Sequence, residues 1–409
     1  MTKYDRVIIE SEGPPHCALA SRSAILQSMK PKAAITATLS VLLLLFLASA
    51  CGGGEENPFN MDSQVLTTAD RPIAMAFAPD GRLFYAEQLT GNIRVISPEG
   101  ELHDEPFAHV DAFEAGTFLE WGVTALALDP DFDTKHYVYV YFTELADQDP
   151  PVEVRPVVVR FTERENVGVQ PKVLIGDLPA TSSFYNVTGS LNVGPDGFLY
   201  VSVGDYDRPE LAKDLSTAQG KMLRVNKETG AAAPDNPFID QPDADPRIFA
   251  YGFREDFDFA FHPESGRLYG SDRTPVSCEE LNLIGMGAYY GWPAGEFPFA
   301  DCQTDEGTKA IHFVNREDMQ PGEFLNYVSI SALDFASGDV YPLVGDSLLV
   351  CESETNYMRR LLLSGTDLDQ VTDDDVVVKD CDMDIAISPD GLVYYSNETE
   401  IRRLIPISE

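Results

Sequence analysis

The residues that could do chemistry gather between Asn186 and Pro293. Arg254 and Arg273 are guanidinium groups, each a planar fork of N–H donors. Glu255 follows Arg254 directly and sets a negative charge beside it. Glu280, in Glu-Glu-Leu-Asn (279–282), is another carboxylate in the stretch. Tyr290 lies in Tyr-Gly-Trp-Pro (290–293). Asn186 opens the stretch after Tyr185. An amide accepts no proton at neutral pH, and a tyrosine does so only with a strongly lowered pKa. Each residue also has a plain structural reading. Arg254 can pair with Glu255 or Asp256, Tyr290 and Trp292 can fix a loop without a metal, and His262 reads as a turn residue.

These residues need a scaffold, and the sequence repeats one. An apolar strand, a Pro-Asp-Gly-type turn and a second strand with aromatic residues recur along the chain. The phrase reads IAMAFAPDGRLFYAE from Ile73, VTALALDPDFDTKHYVYVYF from Val123 and SLNVGPDGFLYVSVGD from Ser190. It returns as DFAFHPESGRLYGSD from Asp258, weakens from Ser331, and recurs as DIAISPDGLVYYSN from Asp384. Pro presets φ, Asp bonds its own backbone and Gly supplies positive φ, so each phrase is a hairpin. No long amphipathic helix pattern appears. Six such units predict an all-β chain arranged as a six-bladed β-propeller over 63–409. Strands from both chain ends would complete one blade and remove a free edge. Long loops are expected at 145–185, 227–250 and 293–328. The acidic run Asp373–Asp375 lacks the Gly and Glu of a calcium-binding loop and reads as a hairpin tip.

The chain has 409 residues, a formal net charge of -38 and 44% hydrophobic residues. That apolar share supports a packed core, and the acidity argues against nucleic-acid binding, which requires Lys and Arg. Residues 33–50, AAITATLSVLLLLFLASA, follow Lys30 and Lys32 and precede Cys51 and three glycines. This is the pattern of a lipoprotein signal peptide. Residues 1–50 are read as leader, with translation starting at Met29, and 51–62 as the lipidated Cys51 and a flexible tether. The protein is then exported and held to a membrane, periplasmic or at the cell surface, by lipid alone. Besides Cys17 and Cys51 there remain Cys278, Cys302, Cys351 and Cys381. Four cysteines allow three pairings, and sequence neighbours suggest Cys278–Cys302 and Cys351–Cys381. No Cys-x-x-Cys or nearby His supports a metal site instead.

Several phrases in order resemble the quinoprotein glucose/sorbosone dehydrogenases. They are PDGRLFYAEQLTGNIRVI (79–96), LALDPDFDTKHYVYVYFT (126–143), GSLNVGPDGFLYVSVGD (189–205), GKMLRVN (220–226), YGFRE (251–255), EELNLI (279–284) and YGWP (290–293). The resemblance implies a six-bladed propeller that binds pyrroloquinoline quinone (PQQ) near its axis. It implies a calcium ion that polarises the quinone, and a histidine that takes a proton from the sugar C1 hydroxyl as hydride leaves. The family's His-x-x-Gly-x-Leu segment matches Asn186–Leu191, which puts Asn186 at the position of the base. The family's cofactor-holding Arg-Asn pair becomes Arg254-Glu255, with Arg273 as a second anion contact and Arg359-Arg360 resembling a basic pair of later blades. The calcium ligands would be the carbonyls of Thr274 and Pro275, with Glu280 and Tyr290. Three functions follow as expectations. One is a PQQ-dependent sugar dehydrogenase with a rearranged base. Another is a propeller that binds a carbohydrate or protein ligand without redox chemistry. The third is a hydrolytic propeller of the gluconolactonase kind, whose carboxylate and Asn cage no motif here assembles. The oligomeric state is not legible.

Overall fold

The computed structural model describes residues 58–113, 120–187, 189–273, 279–293, 306–314 and 329–407. The leader, Cys51, Thr274, Pro275, Cys278 and Cys302 lie outside the described residues. Each recurring phrase folds as the two inner strands of an antiparallel sheet. Among the described residues there are six such sheets of four strands each, the expected six-bladed propeller. The innermost strands are Pro72–Phe77, Val123–Leu128, Leu191–Val193, Asp256–Phe261, Ile330–Ala336 and Ile385–Ile387. In the sixth sheet Met61–Thr68, from the start of the fold, pairs antiparallel with Glu400–Pro406 at its end. The ring therefore closes by hydrogen bonds between the chain's two ends, with Met61–Thr68 as the outermost strand of that sheet.

Local chemistry sets the hairpins. In the first, Ala78 donates to Arg82 and Gly81 donates back to Ala78, at 2.8 and 2.9 Å, with Gly81 at φ 88°. Gly197 and Gly391 close the same turn in the third and sixth blades, at φ 82° and 81°. The second strands Leu83–Glu87 and Ser347–Glu352 are buried along their whole length. Strands covered on both faces carry apolar residues on both, which is why residues 83–86 and 348–351 do not alternate.

The six inner strands surround a central channel of about 360 Å³. Three inner-strand aspartates latch consecutive blades across it. Leu333 N–H donates to Asp258 at 2.8 Å, Ile387 N–H bonds Asp334, and Met75 N–H donates to Asp384. Blades four, five, six and one are thereby tied backbone to carboxylate. Burial pushes Asp258 up to about 6 and Asp334 up to about 7, and mutual repulsion adds to the shift of Asp334.

Two expectations fail. The segment 145–185 is mostly strand, with Tyr137–Asp147, Glu153–Arg164 and Val167–Ile175 forming the outer part of blade two. Its charged residues alternate along long hairpins whose edges face solvent. Asp373–Asp375 is no hairpin tip. It lies within the outermost strand of blade five, Gln370–Lys379, where Asp374 and Asp375 pair with Arg359 and Arg360. Cys351 on the blade-five strand Ser347–Glu352 is bonded to Cys381 in the segment after Gln370–Lys379, with Cα atoms 5.3 Å apart.

Candidate functional site

One end of each inner strand begins at the same face of the ring, and the loops leading into these strands meet there. Asn186 precedes blade three's inner strand, Arg254-Glu255 precedes blade four's, and Glu120 precedes blade two's. The turn at Asn186 has φ 54° and lies against the end of the next strand. A Cβ on Gly204 would stand 2.1 Å from the Asn186 carbonyl oxygen, so only glycine fits there. Tyr206 N–H donates to that same carbonyl at 2.9 Å.

Both N–H groups of the Asn186 side chain are engaged. The residue is 2% exposed, and its Nδ2 donates to Asp205 Oδ1 at 2.9 Å and Asp207 Oδ1 at 3.3 Å. Its backbone N–H donates to Glu120. Asp205 also accepts from Trp292 Nε1 at 2.7 Å, and its N–H donates to the Arg254 carbonyl at 2.9 Å. Burial raises the Asp205 carboxyl, while the bonds from Asn186 and Trp292 and the charge of Arg254 pull it down. Asn186, Asp205, Arg254 and Trp292 therefore form one hydrogen-bonded cluster drawn from separate loops.

Arg273 and the acids form its other half. Arg254 Nη1 donates to the Arg273 carbonyl at 3.1 Å. Arg254 N–H and Glu255 N–H both donate to the buried Asp272 carboxylate, at 3.0 and 2.8 Å. Asp272 sits opposite Glu280 across the strand pair, and Arg273 opposite Glu279. Burial lifts Asp272 to about 7; burial and then repulsion from Asp272 lift Glu280 to about 8. Arg273 Nη1 lies 4.0 Å from Glu255 Oε2 and its Nη2 lies 3.7 Å from Glu354 Oε1. Burial would lower the Arg273 guanidinium, but Glu255, Glu279, Glu354 and Glu120 together raise it. Glu255 is 1% exposed, with the Arg273 guanidinium 4.0 Å away and the Glu120 carboxyl beside it. Burial first, then repulsion from Glu255 and a bond to it, hold Glu120 well above the usual carboxylate range.

The structure thus brings Asn186, Glu255, Arg254 and Arg273 into one network and joins Glu280 to it through Asp272. Tyr185 is half exposed, and its backbone rather than its ring is engaged, through Ser183. The Tyr290 hydroxyl donates to Leu283 O at 2.7 Å and accepts from Gly285 N–H at 2.9 Å, and its ring stacks on Phe253 at 4.7 Å. Arg359 pairs with Glu352 and Asp374, the strand-edge ion pair. Sequence reading missed Glu120, Asp205, Glu279, Trp292 and Glu354. One signal could have found Glu120, since polar residues directly before an inner strand fall on this same face.

The implied cofactor sets a demanding requirement. PQQ is a tricarboxylate and needs cations free to meet it. Among the described residues Arg273 is faced by Glu120, Glu255, Glu279 and Glu354, and Arg254 by Asp205 and Asp272, so the nearest charges to both are already carboxylates. These residues do not fit a tricarboxylate. Among the described residues no three acidic or histidine side chains converge to hold a metal ion.

A profile of the family described as Glucose / Sorbosone dehydrogenase matches residues 69–405. Quinoprotein glucose dehydrogenase B of Acinetobacter calcoaceticus is 29% identical over 258 residues, which is 57% of this chain and 52% of that protein. The match thus spans about half the length of that relative. The aldose sugar dehydrogenase of Escherichia coli K12 is 24% identical over 83% of this chain and 90% of its own. A solved structure from Thermus thermophilus, described as an oxidoreductase of the glucose dehydrogenase type, superposes with TM-score 0.70. It is 28% identical and covers 84% of this chain and all of that one.

Proposed function

This chain belongs to the glucose/sorbosone dehydrogenase family, and on that premise we propose that it is a sugar-binding propeller that does not oxidise its ligand through a quinone. The observation that carries this is Asn186. At the position of the family's proton-accepting base stands an amide whose two N–H groups are held by Asp205 and Asp207. An amide in that bond pattern donates and does not abstract. Around it lie carboxylates, which accept bonds from a neutral polyhydroxy ligand and repel an anionic one. The relatives named as glucose and aldose sugar dehydrogenases supply the substrate class.

Calorimetric titration of the mature protein with a panel of aldoses tests the reading. Saturable heat with at least one aldose is expected, and no heat with any would refute it. A second reading has its own support. Glu120 accepts from Asn186 N–H and lies beside Glu255, so a carboxylate of this pair could serve as the proton acceptor of a rearranged dehydrogenase. Aldose-dependent dye reduction that is lost in Glu120→Gln would favour it.

The leader adds the location. A basic start at Met29, the apolar run 33–50 and Cys51 suit export and lipid attachment, so the propeller works outside the cytoplasm on a Gly-rich tether. Mass spectrometry of the membrane fraction should find the chain beginning at a lipid-modified Cys51. An unmodified peptide spanning residues 45–60 as the main species would refute that.

A further inference from the structure

Beside the Asn186 cluster two large rings stand in solvent without an evident structural task. Phe184 is 47% exposed and Tyr185 is 53% exposed, on consecutive residues. Isolated exposed aromatics are ordinary, but these two sit together on a turn whose backbone is fixed by Ser183, with the Phe184 ring seated on Trp121. Trp121 is buried, its Nε1 donates to the Ser183 carbonyl at 3.0 Å, and its ring lies 5.0 Å from that of Phe184. Phe113 backs Trp121 at 5.5 Å. Ser183 Oγ accepts from Tyr185 N–H at 3.2 Å and lies 2.6 Å from Asp207 Oδ2 as donor. One hydrogen bond thus separates the aromatic turn from Asp207, whose other oxygen accepts from Asn186. Rigid rings next to fixed acceptors form an amphipathic surface.

We propose that Phe184 and Tyr185 are a stacking platform for the apolar C–H face of a pyranose ring, whose hydroxyl groups donate to Asp207. The proposal rests on the sugar-binding reading above and names the form of sugar that the site selects. A pyranose has an apolar face of axial C–H bonds and an equatorial rim of hydroxyl donors. It therefore matches an aromatic face set beside a carboxylate on both counts. It also carries no charge, which suits a face crowded with acids. An open-chain polyol offers the same hydroxyl groups but no flat apolar face. The platform accordingly selects closed rings over open chains.

The test compares methyl glycopyranosides with glucitol, using the mature protein. The chain has only two tryptophans. Trp121 touches Phe184 and Trp292 donates to Asp205, so intrinsic fluorescence reports directly on occupancy. A saturable emission change with a glycopyranoside is expected, with glucitol binding at least tenfold more weakly. Phe184→Ala and Tyr185→Ala should each weaken glycoside binding roughly tenfold, the size of one lost stacking contact. Phe184→Tyr, which keeps a ring on Trp121, should bind as wild type does and controls for folding. Wild-type binding that both alanine variants leave unchanged would overturn the platform while leaving the sugar-binding reading intact. Equal affinity for glucitol would do the same. If the wild type binds no sugar at all, the sugar-binding reading itself fails and the platform with it.

Discussion

Asp258 gives the sharpest test of how the ring is held. It lies on blade four's inner strand, accepts from Leu333 N–H of blade five and is bonded to Ser190 of blade three. Burial raises its carboxyl from 3.8 to about 6, against the pull of those bonds. The shift of about 2 pH units is worth ~3 kcal/mol at 1.36 kcal/mol per unit. Its side chain borders the channel, so channel water makes that an upper figure. The sign follows from linkage. The folded carboxyl holds its proton more tightly than the unfolded one, so this stability is fully present below pH 3.8 and is lost as pH rises through about 6. Asp258→Asn keeps an acceptor for Leu333 and offers Ser190 an amide N–H, which the hydroxyl can accept, but cannot ionise. Urea denaturation of wild type and variant at pH 4 and pH 8 measures the difference, and the general repulsion of an acidic chain cancels between them. The variant is expected to gain up to ~3 kcal/mol relative to wild type between the two pH values. An equal difference at both would refute a buried, proton-holding latch.

Other consequences are direct. Trp292→Phe removes the N–H that reaches buried Asp205, and should cost about 1–3 kcal/mol by thermal or urea denaturation. Cys351 and Cys381 are 30 residues apart, so replacing both with Ser should cost about 3–4 kcal/mol, and non-reduced peptide mapping should find the two joined. Glu120→Gln with Glu255→Gln removes two neighbouring acids beside Arg273 and should raise the affinity for PQQ at least tenfold, roughly one lost repulsive charge in a partly buried site. Fluorescence titration reads that change, and unaltered affinity would show that these acids do not set the preference.

What the sequence made legible was local. The Pro-Asp-Gly turns at 79–81, 195–197 and 389–391 carry their own geometry, so the hairpins and the six-fold repetition could be read from them. Asn186 could be judged unfit as a base because an amide is one in any surroundings. What stayed hidden was made by long-range contacts. Glu120 has meaning only beside Glu255, and Trp292 only against Asp205, 87 residues away. The strand Glu153–Arg164 reads as a loop because Pro150, Pro151 and Pro156 crowd its start; pairing with Tyr137–Asp147 makes it a strand regardless. The ion pairs of Arg359 with Glu352 and Asp374 join three strands and could not be read from the Arg359-Arg360 pair alone.

Quinone binding tests most directly whether this face has ceased to be a redox site. The folded mature protein, incubated with micromolar PQQ and Ca²⁺ and passed through gel filtration, is expected to retain no quinone absorbance and to reduce no dye when an aldose is added. Stoichiometric retention of the quinone with aldose-dependent dye reduction would contradict it.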